Sequence, residues 1–277
     1  MAEKTKVIAQ REYKNFYKDV LKTNSIDELI VIGSNGSCTI DLSLVTKPLV
    51  VRGVADRKKI RSCIEQNRDF YYTDTGYLAN HISPGNSTGV KLWHRIVKND
   101  LQHHVVRSCP PDRWQTLVQQ DKRLEWKGWK NHAKKILLVV PNRKACLYYG
   151  IDIEVWKNKT IEDIKKYSEL PIEIRYKGSR RERNNGYTIY DAFDSGTYAT
   201  VTLNSIAALE SVLYGIPAFV SVPCAASPLA STDLSQLANP FRPSTDLIMQ
   251  QCHSLAYGQF SLQEIYDGTA WKLLQKF

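Results

Sequence analysis

The stretch Tyr198–Val222, YATVTLNSIAALESVLYGIPAFVSV, constrains the fold more than any other part of the chain. Tyr198–Leu203 alternates β-branched and apolar residues, the pattern of a short strand. Asn204 and Ser205 are residue types that cap a helix N-terminus, and Ile206–Tyr214 follows with a helical pattern. Gly215 suits the end of that helix, and Pro217 prevents its continuation. Ala218–Val222 then predicts a second buried strand. Strand, helix and strand in this order predict two parallel neighbours in one sheet.

Glu210 is the only charge in the predicted helix. At about 100° per residue it lies about 40° from Ile206 and about 60° from Leu213, on the border of the apolar face. A helix this apolar is buried on most sides, and a carboxylate there needs a hydrogen-bond donor or a ligand. Two readings stay open. Glu210 is either a helix-edge carboxylate that reaches solvent or caps a neighbouring loop, or an acceptor for ligand hydroxyls. In the second case the helix start at Asn204–Ser205 holds an anion, and a nucleotide fits along the first turns.

The pattern Ser-x-x-x-x-Glu-x-x-x-x-Gly-x-Pro, from Ser205 to Pro217, resembles the donor-binding helix of GT-B-type glycosyltransferases. A longer set of segments is similar to small phage-encoded GT-B-like proteins, among them DNA-base glycosyltransferases. These segments are TDTGY near residue 75, WHRIVKND near 95, YYGID near 150, IRYKGS near 175 and AYGQFSLQEIYDGTAW near the end. The resemblance runs from about residue 48 onward. It implies an α/β fold of two Rossmann-like lobes facing a cleft. It also implies that Glu210 binds the ribose of a nucleotide sugar, most readily a UDP-sugar, and that Asn204 and Ser205 bind its diphosphate. Lys177 matches the family's basic residue on that diphosphate, where it would neutralise charge on the leaving nucleotide. Arg175, two residues earlier, falls on the opposite side of an alternating strand. The loop after Val222 is similar to the one that closes near the donor sugar, with Ser227 and Asp233 as candidate contacts. Thr232-Asp233 equally suits an N-cap for a short helix through Leu237.

The 277 residues suit one large domain or two lobes, either able to bury a core. The change in composition around Trp126–Lys135 sets the expected boundary: an acceptor-side lobe over 1–131 and a nucleotide-sugar lobe over 132–277. The resemblance also implies a last helix that returns to the first lobe. No apolar run reaches the roughly 18 residues of a membrane span. The charged N-terminus does not suit a secretory leader, so a monomeric cytoplasmic protein without membrane contact is expected. The six cysteines form no CxxC pair, and no Asp-x-Asp metal anchor occurs. No metal and no tightly bound cofactor is therefore expected.

Lys and Arg outnumber Asp and Glu by 38 to 28, a net charge of +10. A balance this basic draws polyanions through phosphate contacts. The favoured acceptor is accordingly a hydroxymethylated pyrimidine in DNA. The alternatives are a polysaccharide or small-molecule acceptor, or a non-catalytic basic DNA-binding protein. Along the first lobe, residues 5–23 predict an amphipathic helix, DELIVIG a strand, and SNGS a turn. KPLVVRG predicts another strand, then a basic helix from Asp56 carries Arg57 and Lys58. DFYY predicts a third strand, with TDTGY beyond its carboxyl end. Ligands of open α/β sheets bind outside those ends, so Asp74 is the candidate base for the acceptor hydroxyl. The alternative is a turn-capping aspartate. His81 and His94 are weaker candidates for the base. Asn80–Gly89 reads as a loop. Arg95 and Lys98 are candidate phosphate contacts, and Trp126, Lys127 and Trp129 interleave stacking surfaces with charge. The alternative for this last segment is a linker whose tryptophans pack on the core.

Overall fold

A computed structural model describes residues 49–54, 57–79, 93–131, 134–176 and 188–277. The expected elements at 5–23, 27–33 and 34–37, the loop at 80–89, and Lys177 lie outside the described residues. The elements run in the order β1 (Leu49–Arg52), α1 (Arg57–Glu65), β2 (Phe70–Thr75), β3 (His94–Lys98), α2 (Asp112–Gln120) and β4 (Lys135–Val139). Next come α3 (Arg143–Tyr149), α4 (Ile153–Tyr167), β5 (Ile172–Arg175), α5 (Ile189–Asp194), β6 (Thr197–Thr202) and α6 (Ala207–Leu213). The chain closes with β7 (Ala218–Val220), α7 (Thr245–Ala256), β8 (Gln259–Phe260), α8 (Leu262–Tyr266) and α9 (Thr269–Lys276).

The chain forms two compact units. One comprises the described residues up to His103, Ser108–Arg113 and Ser254–Phe277, and the other comprises His104–Arg107 and Trp114–His253. Trp126–Trp129 belong to the second of these units.

In the first unit the sheet order is β1-β2-β3-β8. Only β1 and β2 are parallel, while β2–β3 and β3–β8 are antiparallel. Among the described residues this sheet is therefore mixed rather than all-parallel. The physical reason lies in β3, which doubles back along β2, and in the C-terminal segment, which supplies the outer strand β8. Val50, Tyr71 and Ile96 from the sheet pack with Phe260, Ile265 and Ala270. Trp271 meets Tyr71 edge-on at 5.6 Å, which seats α9 on this sheet. Gln259 is fully buried, and its side-chain oxygen accepts from the Tyr77 and Leu78 amides at 2.7 and 3.0 Å. Arg113 donates to the carbonyls of Ala256 and Gln259 at 3.0 and 2.8 Å and pairs with Glu264.

In the second unit all four strands are parallel, in the order β5-β4-β6-β7. Strands buried on both faces read as continuous apolar runs, and KILLV of β4 is one. Ile136, Leu138, Ala199, Val201 and Phe219 line one face with Ile164 of α4. Leu137 and Val139 meet Ala192 and Phe193 of α5 and Ala207 of α6 on the other. From β4 the chain steps to β5 on one side, then to β6 and β7 on the other. Ligands of such sheets bind outside the carboxyl ends of the strands where the order reverses, here β4 and β6.

Candidate functional site

In the second unit, α6 follows the carboxyl end of β6, as expected for the strand–helix–strand stretch. Its first turn differs from the expectation. The N-cap is Ile206, in helical conformation and without a side-chain cap. The Ser205 hydroxyl instead accepts from the Ala207 amide at 3.2 Å, a local bond that turns the chain just ahead of the helix. Asn204 and Ser205 are half-buried in this turn. At the other end Gly215 has φ +85, the left-handed region that a helix terminus uses.

Glu210 is partly buried on the first turn of α6, and three other elements converge on it. From α5, the Tyr190 hydroxyl hydrogen-bonds its carboxylate. From the short 3-10 turn Lys122–Leu124, Arg123 brings a positive charge, with the carboxylate of Asp121 beside it. From the end of β5, the charge of Arg175 also reaches Glu210. Burial pushes the Glu210 carboxyl up to about 7, against the pull of Arg123, Arg175 and Tyr190, with Asp121 adding to the rise. Burial likewise raises Tyr190, and the negative charge of Glu210 raises it further.

Arg123 is held in place. Its Nε and Nη2 donate to Asp121 Oδ1 and Oδ2 at 2.8 Å each. Its guanidinium lies 5.4 Å from the Tyr190 ring centroid. The Asp121 side chain is 11% exposed and that of Arg123 48%, so a largely covered carboxylate fixes an exposed cation. The next residues follow α6. Trp126 and Trp129 pack edge-on at 5.0 Å, the Lys130 amide donates to the Gly215 carbonyl at 2.8 Å, and Lys130 Nζ sits 3.3 Å above the Tyr214 ring. Burial lowers Lys130, and the nearby charge of Lys127 acts in the same direction. Lys127 itself is exposed.

The sequence pointed to Arg175, Ser205 and Glu210, and all three belong to this unit. Arg175 reaches Glu210 electrostatically, where strand alternation set it apart from the donor side. Its backbone carbonyl also accepts from Val140 at 2.9 Å, tying β5 to the end of β4. Ser227 and Asp233 serve their own loop. The Ser227 hydroxyl accepts from the Cys224 amide at 2.8 Å, and Asp233 caps the 3-10 helix Leu234–Ala238 by accepting from Ser235 at 2.9 Å. Sequence reasoning passed over Asp121, Arg123 and Tyr190. The one available signal was Asp121-x-Arg123 spacing, which marks a local turn and says nothing of a distant helix.

In the first unit, Asp74 lies within β2 rather than in a loop beyond it. It stands opposite Arg95 of β3 in the antiparallel register. Asp74 Oδ2 accepts from the Tyr72 hydroxyl at 2.8 Å and from Arg95 at 3.4 Å, and Oδ1 accepts from the Thr75 amide at 2.8 Å. Burial pushes the Asp74 carboxyl up, but Arg95, the Tyr72 and Thr75 hydrogen bonds and Arg52 together hold it below the usual range. Arg95 is 11% exposed and lies between the Tyr72 and Tyr77 rings at 5.5 and 5.3 Å. Lys98 pairs with Asp69 at 2.8 Å. His94 is buried in β3. Arg57 is partly covered and Lys58 is exposed on α1. Among the described residues, no group of three or more His, Cys, Asp or Glu is placed to hold a metal ion. No described helix is long and apolar enough to cross a membrane.

No family model matches the chain, and no curated protein matches it. Among solved structures it is similar to the KpsC beta Kdo 2,7 transferase of Thermosulfurimonas dismutans, with a TM-score of 0.48 and 12% identity over 85% of this chain and 87% of that one. It is also similar to the beta Kdo 2,4 transferase of the same protein, with a TM-score of 0.44 and 10% identity over 74% of this chain and 78% of that one.

Proposed function

We propose that this chain is a glycosyltransferase that moves a sugar from a nucleotide-sugar donor, of which a UDP-sugar is the first candidate, to an acceptor hydroxyl. The observation that carries the reading is the setting of Glu210. It is a partly buried carboxylate on the helix that follows β6, beside the point where a parallel sheet reverses its strand order. A nucleotide site fits there on general topological grounds. A carboxylate in such a place accepts hydrogen bonds from the two ribose hydroxyls. The turn at Asn204–Ser205, Lys177 and Arg175 are assigned to the diphosphate. The acceptor oxygen attacks the anomeric carbon, the bond from that carbon to the phosphate oxygen breaks, and the nucleoside diphosphate leaves. Asp74 is assigned as the base that takes the acceptor proton. Its Arg95 partner keeps it ionised, the form a base needs.

The favoured acceptor is a hydroxymethylated pyrimidine in DNA, on the strength of the +10 net charge and of Arg57 and Lys58 on α1. Such a base has to leave the stack to present its hydroxyl. A specific observation favours a second reading, in which the acceptor is a polysaccharide or small molecule. Arg95 and Lys98, two of the residues assigned to DNA phosphates, are engaged by Asp74 and Asp69.

The test is thermal-shift screening against a panel of nucleotide sugars, then transfer of label from the best donor. DNA carrying hydroxymethylated cytosine or uracil and a panel of glycan acceptors receive it in parallel. Label in DNA that declines with salt supports the DNA acceptor. Label in glycan alone supports the second reading. No stabilisation by any nucleotide sugar, with DNA still bound, leaves a non-catalytic DNA-binding protein and ends the transferase reading.

A further inference from the structure

We propose that Tyr72 is a positioning residue that holds the Asp74 carboxylate by Oδ2 and so leaves its other oxygen to the acceptor proton. This rests on the reading of Asp74 as the base, and it deepens that reading.

Strand spacing sets the arrangement. Tyr72 and Asp74 are two residues apart in β2, so they share one face of the sheet. Arg95 stands directly opposite Asp74 on β3 and belongs to the same face. Tyr72 is 1% exposed, so packing fixes its ring. Its hydroxyl donates to Asp74 Oδ2 at 2.8 Å. The Arg95 guanidinium approaches the same oxygen at 3.4 Å and lies 5.5 Å from the Tyr72 ring centroid.

The two carboxylate oxygens are therefore unequal. Among the described residues, Oδ2 accepts from two side chains, whereas Oδ1 accepts from the Thr75 amide alone, at 2.8 Å. A carboxylate oxygen has two lone pairs, so Oδ1 keeps one for a proton. The Asp74 side chain is 41% exposed, which leaves room for a hydroxyl to reach it. Without the Tyr72 hydroxyl, the long contact to Arg95 and the Thr75 amide are what remain to hold the carboxylate, and the last torsion of an aspartate is soft. A base has to lie within hydrogen-bond reach of the proton it takes, and a small misplacement costs rate.

The groups facing this carboxyl are Tyr72 on β2, Arg95 on β3 and Arg52 on β1, with Tyr77 beside Arg95. Burial pushes the carboxyl up, while Arg95, Tyr72, the Thr75 amide and Arg52 together hold it below its ordinary range. Burial also raises the Tyr72 hydroxyl, and the charge of Asp74 raises it further, so it stays a donor. Loss of this hydroxyl moves Asp74 toward the ordinary carboxyl range and leaves it ionised at neutral pH.

The experiment compares wild type with Tyr72→Phe and Tyr72→fluorotyrosine. Phenylalanine keeps the ring and removes the hydroxyl, whereas fluorotyrosine keeps both. Carbon-13 NMR follows the Asp74 carboxyl downward from neutral pH, with Asp74→Asn to assign the signal and the amide spectrum to confirm the fold. Turnover is measured at three pH values around neutrality. UDP-sugars are the donors, and the acceptors are DNA carrying hydroxymethylated cytosine or uracil and the glycan panel. Tyr72→Phe should raise the midpoint by about one unit. Its kcat should fall about tenfold at every pH tested, with KM within about twofold of wild type. Tyr72→fluorotyrosine should keep the wild-type kcat. An unmoved midpoint overturns the inference, as does an unchanged kcat, a loss confined to KM, or a fluorotyrosine variant as impaired as Tyr72→Phe. None of these results touches the reading of Asp74 as the base. That reading fails, and the inference with it, if Asp74→Ala retains turnover or if the wild-type protein transfers sugar from none of the donors.

Discussion

A Cβ on Gly215 would lie 2.2 Å from the carbonyl oxygen of Gly128, closer than any side chain can approach backbone. The same contact is closed by the Lys130 amide, which donates to the Gly215 carbonyl at 2.8 Å. Gly215 therefore does more than end α6. It lets the segment carrying Trp126, Trp129 and Lys130 run against the end of that helix.

Gly215→Ala combines this clash with a left-handed φ of +85, and backbone rather than a flexible side chain has to yield. Each effect costs on the order of 1–3 kcal/mol. The melting temperature of the variant should fall by several degrees or more, and the tryptophan environment should change. An unaltered melting curve would show that the two backbones do not meet.

The raised pKa of Glu210 sets the sign of a pH effect. The folded protein holds this proton up to about 7, whereas an unfolded glutamate releases it near 4.5. Between those values the native state binds more protons, so Glu210 lowers stability progressively as pH rises through the window. Glu210→Gln should remove that slope and exceed wild type in stability at pH 8, by up to about 3 kcal/mol. Melting temperatures of both proteins from pH 4.5 to 8.5 check this, and parallel curves would refute it. Diphosphate affinity should fall at least tenfold in Glu210→Ala with the fold intact.

Asp74 has the opposite sign. Its folded pKa is depressed, so its stabilisation is fully present above the ordinary value of 3.8 and is lost as pH falls through the lowered one. Asp74→Ala should abolish turnover while donor binding persists. It should also cost about 1–3 kcal/mol, because it leaves the nearly buried Arg95 charge without its carboxylate. The double variant Asp74→Ala/Arg95→Met should recover part of that loss. Equal stability of the single variant and wild type would mean that the pair contributes nothing. Retained turnover would dismiss Asp74 as the base.

Gln259 ties the C-terminal segment to the turn after β2, some 180 residues earlier in the chain. Gln259→Leu removes the acceptor for two buried amides, at about 1–3 kcal/mol for each group left unsatisfied. Amide exchange at Tyr77 and Leu78 should accelerate in the variant. Protection equal to wild type would show that other acceptors serve those amides.

Local pattern was enough for much of the second unit. Alternation in Tyr198–Leu203, the apolar run of β4, and Gly215 before Pro217 act over a few residues, so they predict elements directly. The first unit was less legible. Asp74 was expected beyond a strand, because nothing in TDTGY shows that its partner strand begins at His94 and sets the Asp74–Arg95 register. Ser205 capped a turn instead of the helix, since side-chain hydroxyls serve either geometry with similar spacing.

The amino-acid order by itself determined where strands and helices of the second unit form, and it singled out Glu210 as a charge out of place. Those are consequences of periodicity and backbone stereochemistry. Tertiary structure alone decided which groups surround that charge. Asp121 and Arg123 lie nearly 90 residues away in the chain, and Tyr190 and Arg175 sit on separate elements. Packing around the parallel sheet brings them together, and the resulting balance of burial and charge at Glu210 belongs to no single segment.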